Sequence, residues 1–185
     1  NETHAVTVIR RIAMERENMV RAAKAGDAAA FTELYRDVYQ EMYRFAYYLL
    51  HHAEDAKDAV SDAVMDAWTA IGSLREDGSF KQWIFSILAN KCKAKMREYV
   101  RRPAELTEAA ADTLAAPDHM PSAEHLQIRE EFQKLDDTDR LIIGLHLFAG
   151  YRTRELAEAL HMNENTVRSR EHRALKRMGE ALERV

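Results

Sequence analysis

The sequence predicts an all-α protein made of two helical blocks, and three observations carry that prediction. Only six glycines and three prolines occur in 185 residues, well under the usual share of turn formers. Sandwiches and barrels need such residues every few positions, which removes an all-β fold. The prolines, Pro103, Pro117 and Pro121, fall in one short stretch and leave the segments on either side proline-free. Apolar residues in both segments recur at helical spacing rather than in alternation. The expected organisation is an N-terminal extension over 1–13, a helical domain over 14–102, a linker over 103–123 and a second helical domain over 124–185.

The elements follow in order. Residues 15–25 read as a short helix that stops at Gly26, a residue suited to the turn after a helix end, and Asp27 suits the next N-cap. Phe31, Leu34, Tyr35, Val38, Met42, Phe45, Ala46 and Leu49 then hold one face of a helix for about five turns. A third helix over 53–71 carries Val60, Val64, Ala67, Trp68 and Ile71 on its apolar side, with Trp68 expected in the core; Asp55, Asp58, Asp62 and Asp66 line the other side. Gly72 to Ser79 is a loop. A fourth helix over 80–101 starts apolar (Trp83, Ile84, Ile87, Leu88), turns basic, and ends at Arg102-Pro103 because the residue before proline avoids the α region. The pattern resumes with Leu126, Ile128, Phe132 and Leu135, then Leu141 to Phe148, stopped by Gly150. A helix over 153–160 and another from near Asn163, carrying Val167, Ala174, Met178 and Leu182, complete the second block.

The net charge of −4 hides a strong division. Lys81 to Arg102 holds Lys81, Lys91, Lys93, Lys95, Arg97, Arg101 and Arg102 against one acid, Glu98; Thr166 to Met178 holds Arg168, Arg170, Arg173, Lys176 and Arg177 against Glu171. Between them, Pro103 to Glu124 carries Glu105, Glu108, Asp112, Asp118 and Glu124 and no Lys or Arg. Two basic patches flanking an acidic tether keep nucleic acid open as a partner, which the total charge alone argues against. A single cysteine, Cys92, excludes a disulfide framework and a cysteine-rich zinc site, and reads as a packed thiol in a reducing, cytoplasmic compartment. No apolar run is long enough for a membrane span, and the start, at Asn1 rather than Met, lacks a signal-peptide pattern. His51-His52 has no further ligands at metal-binding spacing and is expected to be exposed. No nucleophile elbow, phosphate-cradling glycine loop or metal-ligand cluster is present, so neither a catalytic residue, a metal nor a cofactor is expected.

The strongest local signal runs from Thr153 to Met178. A helix of about eight residues, a turn of three or four, and a basic helix have the spacing of a helix-turn-helix. Ala157 permits close crossing, Leu156, Leu160 and Val167 form the shared core, and Asn163 caps the second helix. Its exposed first turns then present Asn165, Thr166, Arg168, Ser169, Arg170, His172 and Arg173. Arginine reads guanine through two hydrogen bonds, while Ser, Thr and further Arg hold phosphates. The plain alternative is a solvated charged helix in a bundle.

The layout resembles the extracytoplasmic-function (ECF) sigma factors, the smallest sigma-70-type initiation subunits of bacterial RNA polymerase. Gly26-Asp27, Ala30-Phe31 and Leu34-Tyr35 are similar to that family's opening motif. Asp58-Ala59-Val60-Ser61-Asp62 with Val64 and Trp68 resembles its polymerase-binding helix. Phe80, Trp83-Ile84, Ile87, Ala89-Asn90 and Arg97 resemble its promoter-melting helix. In the second block Leu135, Asp139-Arg140, Glu155-Leu156-Ala157, Thr166 to Arg170 and Arg173-Ala174 match the region-four signature. Lys57, Ser61, Ala94 and Glu171 depart from the family pattern and mark a divergent subgroup with its own partner and promoter preferences.

The resemblance implies a set of roles. Asp58, Ser61, Asp62 and Met65 would dock on the β′ clamp helices of core RNA polymerase, with the β flap as a further contact. Phe80, Trp83, Asn90, Lys91, Lys95 and Arg97 would bind the minus-ten element, where aromatic faces and cations suit unstacked bases. Arg152, Asn165, Thr166, Arg168, Ser169, Arg170, His172, Arg173 and Arg177 would bind the minus-thirty-five element. The partners implied are core polymerase, promoter DNA and an anti-sigma factor. The implied protein is a non-enzymatic, cytoplasmic initiation factor; the rival reading is a stand-alone helix-turn-helix regulator.

Overall fold

The computed structural model describes residues 2–101 and 123–183, and every described element is helical. The proposed linker lies outside the described residues. The first helix, α1 (Glu2–Lys24), is twice as long as the sequence reading had it and takes in the expected extension. Nothing in that segment breaks a helix, since it holds neither glycine nor proline. Gly26 at φ 95° and the Asp27 N–H bonded to Ala22 O turn the chain sharply. Asp27 then caps α2 (Ala28–Leu50), accepting from the backbone N–H of Ala29 and Ala30 at 2.9 and 3.1 Å.

The buried face of α2 is the expected one, from Phe31 and Leu34 to Ala46 and Leu49, with Tyr35 half-buried. The helix ends at His51, which adopts a left-handed conformation at φ 57°. His52 starts α3 (Ala53–Ala70), its Nδ1 accepting from the Asp55 N–H at 3.2 Å. Both histidines are half-buried rather than exposed, because one closes a helix and the other opens the next.

Alanine dominates the buried side of α3: Ala53, Ala56, Ala59, Ala63 and Ala67, with Val60. Small side chains let α2 and α4 (Phe80–Arg101) approach it closely. Trp68 is therefore not a core residue. It is 38 % exposed and lies edge-on to Phe31 at 5.2 Å. Two short 3₁₀ turns (Ile71–Ser73 and Asp77–Ser79) make the connection to α4, and Lys24 Nζ holds it to α1 through Asp77 at 2.5 Å. Cys92 is buried, and burial pushes its thiol up to about 12, which describes an inert packed group.

The second block comprises α5 (Ala123–Gln133), α6 (Asp137–Ala149), α7 (Thr153–Leu160) and α8 (Glu164–Leu182). Leu156 and Val167 are fully buried and Leu160 half-buried, so the shared core of the last two helices is the expected one. Ile128 departs from its pattern and faces solvent. The blocks also share a core. Phe45 of α2 meets Phe85 of α4 at 5.5 Å and Phe148 of α6 at 6.3 Å, and Tyr48 meets Phe132 and Phe148 at 5.8 and 5.9 Å.

Candidate nucleic-acid interface

Helix α8 starts where Asn163 accepts the Asn165 N–H at 2.9 Å, after a turn in which His161 takes a left-handed conformation. From that start Asn165, Thr166, Arg168, Ser169, His172, Arg173 and Arg177 are exposed, as is Arg152 before α7. Intrahelical contacts set their directions. Arg168 pairs with Glu164 at 2.8 Å, the Ser169 hydroxyl donates to Asn165 O at 2.7 Å, and Arg173 Nε donates to Ser169 O at 3.1 Å. A row of cations and hydroxyls on one helix face suits a phosphate-lined groove.

Arg170 behaves differently from its neighbours. It is half-buried, donates from one terminal nitrogen to both carboxylate oxygens of Asp136 at 2.6 Å, and sets its Nε 2.8 Å from Asp139 Oδ1. Asp136 also caps α6 by accepting from Thr138 and Asp139 N–H groups. Burial raises its carboxyl, but the Asp139 N–H and Arg170 outweigh that and hold it below the usual carboxylate range. Asp139, 9 % exposed, is pushed up by burial and then by Asp136. Arg170 is thus built into the α6–α8 junction and fixes how α8 sits on α6. Glu171, one of the departures from the family pattern, has a local account too: it is half-buried and faces His146 Nδ1 at 3.1 Å, a polar contact where an apolar one is usual.

On α4 the expected minus-ten residues separate into two groups. Lys91 reaches Asp66 at 2.6 Å; Lys95 reaches Asp55 at 2.8 Å and Asp58 at 3.8 Å, both turned toward α3. Tyr99 donates to the second Asp55 oxygen at 2.5 Å, and burial followed by that bond pushes its phenol well above the usual range. Asn90 and Arg97 are exposed. Phe80 is only 6 % exposed and packs at 6.1 Å from Phe31, so its ring belongs to the core here; Trp83 beside it, at 6.2 Å, is half-buried. Lys93 and Arg101 complete a stripe with Asn90 and Arg97. Their i, i+3, i+7, i+11 spacing is the sequence signal that groups them within the basic patch. Lys93 is half-buried, and burial followed by Arg97 lowers its ammonium.

The residues of α3 expected to meet polymerase are fully presented. Asp58, Ser61 and Asp62 are exposed, and Met65 is 68 % exposed. A large apolar side chain between carboxylates, next to the exposed Trp68, is the composition of a protein interface. Lys57 pairs with Glu54 at 2.6 Å on the neighbouring turn. Among the described residues no helix is long and apolar enough to cross a membrane, and no His, Cys, Asp and Glu cluster is arranged to hold a metal.

Comparison with known proteins agrees with this layout. The family model for sigma-70 region 2 matches residues 34–114, and that for sigma-70 region 4 matches residues 125–178. A probable RNA polymerase sigma factor RfaY of Xanthomonas campestris is 28% identical over 116 residues, covering 58% of this chain and 29% of that protein. The RNA polymerase sigma-H factor of Pseudomonas aeruginosa is 28% identical over 130 residues, covering 63% of this chain and 67% of that one. The chain therefore spans less than a third of the first of these relatives. Two solved structures share the fold at 24% identity. CnrH in complex with the cytosolic domain of CnrY has a TM-score of 0.66 and covers 91% of this chain and 97% of that chain. The sigma factor RpoE in complex with the anti-sigma factor NepR from Bartonella quintana has a TM-score of 0.69, with 83% and 96% covered. With region 2 and region 4 matched in order across the two helical blocks, the chain belongs to the sigma-70 family of sigma factors and has the ECF-type layout.

Proposed function

We propose that this protein binds core RNA polymerase through the outer face of α3 and directs it to promoters read by α4 and α8. The observation that carries the reading is the pairing of two family regions in one chain, each with an exposed face of matching chemistry. In region 2 that face is Asp58, Ser61, Asp62 and Met65; in region 4 it is the row from Asn165 to Arg173. Domain boundaries at 14–102 and 124–185, joined by an acidic tether, fit that division of labour.

On this reading the protein is a non-catalytic cytoplasmic factor. Strand opening rests on capture of unstacked minus-ten bases by Trp83 and the Asn90–Arg97 stripe. Two modest DNA contacts suffice because the polymerase holds both modules at high effective concentration. One structural neighbour was solved with the anti-sigma factor NepR and the other with the cytosolic domain of CnrY, which supports an anti-sigma factor for this chain as well.

Run-off transcription with core polymerase, on promoters selected from genomic fragments, tests the proposal. Specific initiation that is lost on reversing the charge of Arg168 and Arg173 supports it. Tight binding of promoter duplex by the free protein, with no initiation alongside polymerase, replaces it with a stand-alone regulator.

A further inference from the structure

We infer that Glu171 is a positioning residue. It works against Arg170 to fix the roll of α8 about its own axis, and through that roll it sets which base pairs the helix prefers. This role rests on the reading of α8 as the minus-thirty-five helix. Little else holds the roll. Among the described residues of α8 only Val167 and Ala174 are buried, and Met178, half-buried, extends their row. Val167 and Ala174 lie about two turns apart, so they define a line along the helix rather than a face. Alanine has no length with which to key into a groove. A helix seated on such a line can rock about it while uncovering little apolar surface.

Two polar contacts supply what the apolar row lacks. At helical spacing Arg170 and Glu171 point about 50° to either side of that row, and they reach opposite ends of α6. Arg170 donates to Asp136, the N-cap, at 2.6 Å and sets its Nε 2.8 Å from Asp139 Oδ1 in the first turn. Glu171 Oε1 lies 3.1 Å from His146 Nδ1 in the last turn. Asp139 and His146 are about 10 Å apart along α6. A roll toward one contact stretches the other, and because Arg170 is a cation and Glu171 an anion neither can take over the other's partner. The Glu171 side chain is only 12 % exposed, so its carboxylate is turned onto α6 rather than out to a groove. The face opposite the buried row carries Asn165, Ser169, His172 and Lys176, all exposed. At the helix surface, about 5–6 Å from the axis, a roll of ~15° carries a side chain through about 1.5 Å. Hydrogen-bond lengths vary by only about 0.5 Å, so such a roll is enough to exchange one base contact for another. Loss of Glu171 re-aims α8 without detaching it.

The test is run-off transcription with core polymerase on a promoter library randomised in the minus-thirty-five element, with transcripts counted by sequence. Wild type should rank the library steeply. Glu171→Leu keeps the bulk and removes the charge; it should lower discrimination about tenfold at one or two base pairs, the loss expected when one base contact is misaligned. His146→Leu should flatten the same positions, and the double variant should add nothing further, since each change removes the same contact. Glu171→Gln, whose side-chain oxygen still accepts a hydrogen bond from His146, should restore the wild-type ranking. A thermal melt of each variant confirms folding, and His146→Leu, at an exposed site, decides the matter should Glu171→Leu not fold. A merely structural role would weaken every promoter alike. An unchanged ranking in the folded variants, or a double variant whose shifts simply add, overturns the role while leaving the proposed function standing. Failure of wild type to initiate on any member of the library overturns the proposed function and the role with it.

Discussion

Replacing Arg170 separates positioning from the proposed promoter reading more cleanly than any other change in α8. Arg170→Met removes two hydrogen bonds to Asp136 at 2.6 Å and the charge 2.8 Å from Asp139. Asp139 would then be a buried carboxylate without a cation. Breaking a fully buried pair this way costs about 3–5 kcal/mol. Asp136 is well exposed and its share is screened, which brings the expected loss to about 2–3 kcal/mol. For a chain of this size that lowers the melting temperature by roughly 5–10 °C. Arg168→Met is the control. Arg168 is exposed and pairs only within its own helix, so stability should change by less than about 0.5 kcal/mol. Promoter binding with polymerase should nevertheless weaken by about 1–3 kcal/mol. Urea denaturation and promoter titration on the same two proteins give all four numbers. Asp139→Asn in the Arg170→Met background should recover part of the stability by removing the stranded charge. An Arg170→Met protein as stable as wild type that fails only in promoter selection would refute the positioning role.

Three further outcomes are expected. Asp27→Ala should cost about 1 kcal/mol in urea denaturation by stripping the α2 N-cap from Ala29 and Ala30, while Asp27→Asn should cost much less. Cys92 should react with a thiol reagent at the global unfolding rate, since its buried thiol is pushed up to about 12; rapid modification of the folded protein would contradict its packing. His51 has a folded pKa of about 4, below its unfolded value of 6.5, with burial, then Arg140 and Arg129, lowering it and Asp137 raising it. The unfolded chain therefore binds the extra proton between those values, so the stability from neutral His51 is complete above about pH 6.5 and is lost as pH falls toward 4. After solvent screening this amounts to about 1–2 kcal/mol, and pH-dependent denaturation of His51→Asn should lack it.

Much of the fold is legible in the sequence because helix ends carry local chemistry. Asp27 and Asn163 cap where short polar side chains should, and Gly26 and Gly150 turn where glycine is needed. The helix-turn-helix core at Leu156 and Val167 follows from spacing alone. What escaped depends on contacts between distant segments. Trp68 looks like core by its size, yet the alanine face of α3 leaves no depth for it. Phe80 looks like a stacking platform by motif, yet Phe31 encloses it. His51 and His52 look like surface residues, yet each ends a helix. The seam between the blocks did leave one trace. Leu141 to Leu145 are buried without interruption, and a helix apolar all round belongs between two neighbours rather than on a surface.

The alanine face of α3 carries a consequence for how this protein can vary. Alanines interlock poorly, so little in that packing fixes how far α3 slides or rolls along α4. The ion pairs Lys91–Asp66 and Lys95–Asp55 supply that register from outside the core. They also join the helix proposed to meet polymerase to the helix proposed to open DNA. Exchanging Asp55, which lies outside the proposed docking face, would release Tyr99 and leave Lys95 only its longer contact to Asp58 at 3.8 Å, and let both surfaces drift. On the proposed function, affinity for the enzyme and choice of promoter are therefore traits that mutation must move as a pair.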